Sequence, residues 1–164
     1  MLHRTHRFPL LLGLLLLLPG RAHAQEPGLQ VTILGAAAVT LSTTELAALP
    51  RDSVQVRVHD GPAQWYAGPR LLDVLRRAGA RVDTVRGPAL AQYVLVEARD
   101  GYRVVFGLGE LTEGLGGQPL LLANRVDGAA LSDQEGPWRL IAPGDTRAAR
   151  WARQVVAIRL VQAP

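Results

Sequence analysis

Tyr93-Val94-Leu95-Val96-Glu97-Ala98-Arg99-Asp100-Gly101-Tyr102-Arg103-Val104-Val105-Phe106 reads as two strands joined by a tight turn. Both flanks are rich in β-branched and aromatic residues. An Asp-Gly pair between two such runs is a strong hairpin signal, because glycine accepts the positive φ that the turn requires. The hairpin predicts an antiparallel sheet in the second half of the chain.

The same punctuation continues downstream. Leu108 to Glu113 is read as a short helical turn, and Gly114, Gly116, Gly117 and Pro119 as a loop. Leu120 to Asn124 is an apolar run short enough for a buried strand, closed by the turn pair Asp127-Gly128. Arg139 to Ala142, between Pro137 and Pro143, gives another short strand. Arg147 to Arg153 is read as a short helix or tight loop, and Val155 to Val161 as the closing strand. Upstream, Arg70 to Ala78 has a helical period with Leu71, Leu72, Leu75 and Ala78 on one face, and Gly79 supplies the stop. Ser53 to His59 alternates Val54, Val56 and Val58 with Gln55, Arg57 and His59, a strand with one apolar face. Gly61-Pro62 and Gly68-Pro69 are read as turns around a short segment holding Trp65 and Tyr66. Leu29 to Leu34 and Val39 to Leu41 are strand-like. Ser42 and Glu45 form the S-x-x-E capping box of a short helix ending before Pro50. Many short strands with isolated short helices predict an α+β, mostly-β domain.

Residues 1–24 have the form of an export signal. His3, Arg4, His6 and Arg7 make a basic start, Leu10 to Leu18 an apolar stretch, and Ala22-His23-Ala24 a small-x-small cleavage site. The apolar stretch is short of the roughly 20 residues of a membrane span. The expectation is a periplasmic or secreted protein, with residues 25–164 forming one domain and no membrane attachment after cleavage. The chain has eighteen arginines, no lysine and fourteen acids, and three of the arginines precede residue 25. The remaining stretch carries a formal charge of +1, too little for the concentrated basic footprint of a nucleic-acid binder. There is no cysteine, and His59 is the sole histidine after residue 24. Thiol nucleophiles, disulfides and Cys/His zinc sets are thereby excluded, and Schiff-base lysines as well.

Five stretches, in order, resemble the oxidoreductase molybdopterin-binding domain, the fold of sulfite oxidase and its relatives. Trp65-Tyr66-Ala67-Gly68-Pro69-Arg70-Leu71-Leu72-Asp73-Val74-Leu75 is similar to the family's aromatic-x-G-x-x-L-x-x-L-L element. The hairpin 93–106 is the second. Leu121-Leu122-Ala123 followed by Asp127-Gly128 and Leu131 is the third. Gly136-Pro137-Trp138-Arg139-Leu140-Ile141-Ala142-Pro143-Gly144 resembles G-x-P-x-R-L-x-x-P-G. Arg150-Trp151 leading to Ile158 resembles the family's basic-aromatic ending. The resemblance implies a mixed, mostly-β sulfite-oxidase-like fold over about Val54 to Leu160.

It also implies a molybdenum ion held by a pterin dithiolene and by one protein cysteine on the strand before the aromatic-x-G element. Here that strand reads Val56-Arg57-Val58-His59-Asp60, without a thiol. A thiolate is the soft ligand such a metal prefers, and imidazole is a different donor. The leader, moreover, lacks the adjacent Arg-Arg pair of folded export, whereas the family's cofactor is inserted before secretion. The expectation is a domain of this fold with no metal site, no assigned catalytic residue and no required cofactor, molybdopterin remaining possible through the resemblance. Arg139, which matches the family's arginine, together with Arg147, Arg150 and His59, is the candidate binding set for a pterin phosphate or a small anion, since guanidinium forks donate paired hydrogen bonds to anions. Trp65, Tyr66, Trp138 and Trp151 are read as core or rim rather than site. The leading function is a binding or accessory module for a small anion or an envelope protein partner. The alternatives are a small molybdopterin-dependent oxidoreductase acting on an oxyanion, and a structural subunit of an envelope redox complex.

Overall fold

A computed structural model describes residues 28–58 and 61–164. The leader 1–24, His59 and Asp60 lie outside the described residues. In chain order the elements are β1 (Leu29–Ile33), β2 (Val39–Leu41), α1 (Thr43–Ala47), β3 (Arg51–Arg57), β4 (Ala63–Pro69), α2 (Leu71–Arg77), a 3-10 turn at Gly87–Ala91, β5 (Gln92–Ala98), β6 (Arg103–Gly107), α3 (Leu108–Leu111), β7 (Leu121–Ala123), β8 (Arg125–Val126), β9 (Ala129–Ala130), β10 (Arg139–Ile141), a 3-10 turn at Ala148–Arg150, and β11 (Val155–Gln162). The expected mostly-β α+β class is the observed one.

β5 and β6 form the expected hairpin, with Val94 opposite Phe106 and Val96 opposite Val104. Gly101 has φ +85° and its N–H donates to the Ala98 carbonyl at 3.0 Å. The Asp100 carboxylate accepts from the Tyr102 N–H. The hairpin is the edge of a five-stranded sheet ordered β2-β1-β11-β5-β6, in which only β1 and β11 run parallel. Val94, Val96, Val104, Phe106, Ile158 and Leu160 are buried. α1 opens on the capping box, Ser42 Oγ accepting from Glu45 N–H while Glu45 accepts from Ser42 N–H. The Ser42 N–H bond, and after it the Ser42 hydroxyl donating to the same carboxylate, hold the Glu45 carboxyl below the usual range.

The sequence reading needs correction at two elements. The segment around Trp65 and Tyr66 is a full strand, β4, rather than a residue pair between turns. Gly68 and Pro69 end that strand instead of turning it, because β4 is paired on both sides, by β3 and by β8. In α2 the buried face is Leu71, Val74 and Leu75, with Leu72 and Ala78 only half-buried. The i, i+3, i+4 spacing from Leu71 selects Val74 over Leu72.

The second half of the core is built around β7. Leu121, Leu122 and Ala123 are all buried. β10 pairs with them, Arg139 opposite Ala123 and Ile141 opposite Leu121. On the other side β4 follows the same stretch: Asn124 N–H donates to Ala67 O at 3.1 Å, Leu71 N–H donates to Leu120 O at 2.8 Å, and Arg70 bridges Leu121. Gly68 lies at this crossing. A Cβ there would sit 2.7 Å from Ala123 Cα and 2.8 Å from the Leu122 carbonyl carbon, with the carbonyl oxygen nearer still. All three atoms are backbone, so no side-chain rotation can relieve the clash. Gly68→Ala is expected to destabilise the fold by about 3 kcal/mol or to abolish it, the cost of overpacking a site that cannot yield. Urea denaturation measures it. An unfolding midpoint unchanged from the wild type would show that β4 and β7 do not approach this closely.

Candidate functional site

A cleft of about 940 Å³ opens where the two halves of the core meet. β4 supplies Gln64 and Tyr66, the 98–102 turn supplies Asp100 and Tyr102, the 133–135 segment Asp133 and Glu135, β10 Arg139, and the approach to β11 Trp151, Arg153 and Gln154. Val58, the last described residue before His59, also lies in the wall.

Arg139 is the buried cation of this cleft, its side chain 8% exposed. β10 fixes it: Leu140 N–H donates to Ala152 O and Val155 N–H donates to Trp138 O, so the strand is held on both sides. Its Nη1 donates to the Tyr66 hydroxyl at 3.0 Å and to the Glu135 carboxylate. The guanidinium carbon lies 5.2 Å from the Tyr66 ring centroid. Arg139 Nε is buried without an acceptor, and among the described residues Nη2 donates to none. Nε is thus an enclosed donor without a partner while Nη1 is anchored, and among the described residues the Nε/Nη2 edge, the one that grips a carboxylate or oxyanion side-on, carries no acceptor.

Tyr66 links the parts. Its hydroxyl donates to Gln64 Oε1 at 3.3 Å while accepting from Arg139, and its ring meets Trp151 edge to face at 6.4 Å. Burial pushes the phenol above its ordinary value; Arg139 opposes the shift, while Glu135 and Asp127 add to it. Tyr66 is thus a neutral hydrogen-bond donor and acceptor at physiological pH and no base. Trp151 Nε1 donates to Ala142 O at 2.9 Å.

Arg150 and Arg147 are placed elsewhere. Arg150 spends its Nε/Nη2 fork on Asp145, at 3.0 and 2.6 Å. It lies 4.1 Å from the Phe106 ring centroid and reaches Glu110 and the Val105 carbonyl through Nη1. The Asp145 bonds, then the charges of Asp145 and Glu110, raise its pKa against the desolvation that lowers it. It ties the 143–150 loop to β6. Arg147 is exposed at the start of the Ala148–Arg150 turn and is absent from the cleft wall. His59 lies outside the described residues. Tyr66 and Glu135 are wall residues that the sequence reading did not select for the site, and Arg153, from the basic stretch of Arg147 and Arg150, is the one of those three in the wall. The one available signal was the i, i+4 spacing of Glu135 and Arg139.

The cleft wall is polar, with carboxylates and arginines from β4, β10, the β5–β6 turn and the approach to β11 brought together. The sequence profile of the oxidoreductase molybdopterin binding domain matches residues 18–164, and the chain belongs to that family. The sulfane dehydrogenase SoxCD from Paracoccus pantotrophus has the same fold, with a TM-score of 0.65 at 16% identity. The superposition covers 85% of this chain and 39% of that one, so this chain spans well under half of its structural neighbour. No curated protein matches the sequence.

The donor set does not fit the family's metal centre. The chain has no cysteine to supply a thiolate, and no three His, Cys, Asp or Glu side chains among the described residues form a metal-binding group. Nor is the wall a cationic cradle for a pterin phosphate. It sets the carboxylates Asp100, Asp133 and Glu135 against Arg139 and Arg153, and Glu135 already neutralises Arg139.

Tyr66→Phe removes an acceptor from a charged donor and is expected to cost about 2 kcal/mol in chemical denaturation. The phenol's raised folded-state pKa adds a pH signature. Its contribution is fully present below the ordinary phenol value and is lost as pH rises through the folded value. The wild-type minus Tyr66→Phe tyrosinate absorbance should titrate above that ordinary value. A difference spectrum that titrates at or below it would contradict the placement.

Proposed function

We propose that this chain is an exported binding module that has kept the molybdopterin-oxidoreductase scaffold and works without molybdenum, taking a small oxyanion or carboxylate at Arg139. One observation carries the reading. A buried arginine in the cleft wall is anchored through Nη1 by Tyr66 and Glu135 and keeps its Nε/Nη2 edge without an acceptor among the described residues. An anchored guanidinium loses little rotamer freedom when a ligand arrives, so its hydrogen bonds are worth more. Glu135 sets the selectivity: it holds Arg139 in place and repels an anion of high charge, which favours a singly charged group. Gln64, Gln154 and the Tyr102 side of the cleft offer neutral donors and acceptors for the rest of a polar ligand.

The whole chain, produced in a host that makes molybdopterin, tests this by elemental analysis together with calorimetry. The expected result is no stoichiometric molybdenum, saturable binding of bisulfite or acetate, and at least tenfold weaker binding in Arg139→Gln, the loss of one charge-assisted fork. Equimolar molybdenum, or anion binding indifferent to Arg139, would overturn the proposal.

A further inference from the structure

We propose that the outward face of β3, β4 and β8 is a docking surface for an acidic polypeptide segment. The strand register defines this face. Antiparallel partners point to the same side, and alternate residues of a strand share a side. Gln55 pairs with Trp65, Arg57 with Ala63, Arg51 with Pro69, Ser53 with Ala67, and Ala67 in turn with Arg125. Arg51, Ser53, Gln55, Arg57, Trp65 and Arg125 therefore project together, and all six are exposed. The opposite face carries Val54, Val56, Tyr66 and Val126 against the core.

Three features separate this face from an ordinary solvated sheet. First, none of the register partners on it is a carboxylate, although the chain has fourteen acids. Second, its three arginines are bonded only to neutral acceptors: Arg51 to Asn124 Oδ1 at 2.8 Å, Arg125 to Gly128 O at 2.8 Å, Arg57 to Gly61 O at 3.4 Å. None of them is in an ion pair among the described residues, a state they share with Arg81, Arg86, Arg99, Arg147 and Arg153; what sets these three apart is that they stand together on one sheet face. Third, Trp65 lies among them 51% exposed, while Trp138 and Trp151 are buried. Protecting an edge strand from aggregation requires charges on β3 alone; it accounts for neither the indole on β4 nor Arg125 on β8.

The chemistry selects the occupant. Tryptophan and arginine dominate the energetic centres of protein interfaces. Three cations with no carboxylate partner among the described residues call for carboxylates, and the indole calls for an apolar side chain between them. The strip is about 20 Å long on β3 and about 10 Å across the three strands, on the order of 200 Å² against the roughly 800 Å² a side of a folded-domain interface, so it fits an extended segment. A membrane surface is the poorer match, because a single exposed indole supplies little of the apolar area that interfacial binding draws on. The surface is the face of β4 opposite to the one that carries Tyr66 toward Arg139, and the inference does not rest on the proposed ligand.

The test is fluorescence anisotropy on the full chain, with a labelled peptide of four glutamates, Leu-Phe-Leu and four more glutamates. The prediction is saturable micromolar binding. It should weaken at least tenfold in R51E/R57E/R125E and at least fivefold in Trp65→Ala, both variants keeping the wild-type melting transition. Indole emission should shift to the blue on binding in the wild type and not in Trp65→Ala. The same peptide with lysine for glutamate should not bind. Absence of saturable binding, equal affinity in the variants, or tighter binding to phosphatidylglycerol vesicles than to the peptide would each overturn the proposal.

Discussion

The backbone contact between β4 and β7 at Gly68 organises the rest of the molecule. With no side chain at Gly68, β4 can lie directly on the Leu122–Ala123 peptide. β7 is thereby enclosed between β4 and β10, and its three residues become core. Arg139 stands opposite Ala123 on β10, and Tyr66 lies two residues before Gly68 on the same side of β4. The hydrogen bond between those two side chains is a consequence of how closely the strands approach. The aromatic-x-G element of the sequence is thus a packing device first, and it places the cleft wall second.

Arg139 and Arg150 show how one residue type is assigned two tasks by its neighbours. Both lie against aromatic rings, Tyr66 and Phe106, and both meet carboxylates. Arg150 has its fork filled by Asp145 and acts as a clamp between a loop and β6. Arg139 is held through Nη1, and among the described residues its Nε/Nη2 fork has no acceptor. Removing the partner of a buried charge is costly, so Arg139, 8% exposed, is the more firmly fixed of the two, while Arg150 is one-third exposed.

Much of the architecture was legible from local chemistry. Asp100-Gly101 specified the hairpin, Ser42 with Glu45 specified the start of α1, and the apolar runs at 120–124 and 155–161 announced a buried strand and the closing strand. β4 was obscured because Gly and Pro at its end read as punctuation, while the structure uses Gly68 for close approach. The site was legible in part. Arg139 stood out through the G-x-P-x-R pattern. The contrast with Arg150 depends on Asp145, Glu110 and Phe106, which come together only through tertiary contacts. Tyr66 and Glu135 likewise become wall residues only when β10 is set beside β7.

The central claim is that a scaffold built for molybdopterin now presents an anchored arginine, rather than a metal, to its ligand. Arginine Nε–H resonances report it most directly. With the Arg139 signal assigned by its loss in Arg139→Lys, the account predicts that titrating bisulfite moves the Arg139 Nε–H cross-peak and leaves that of Arg150, already bonded to Asp145, in place. An unmoved Arg139 peak, or a shift confined to Arg150, would contradict it.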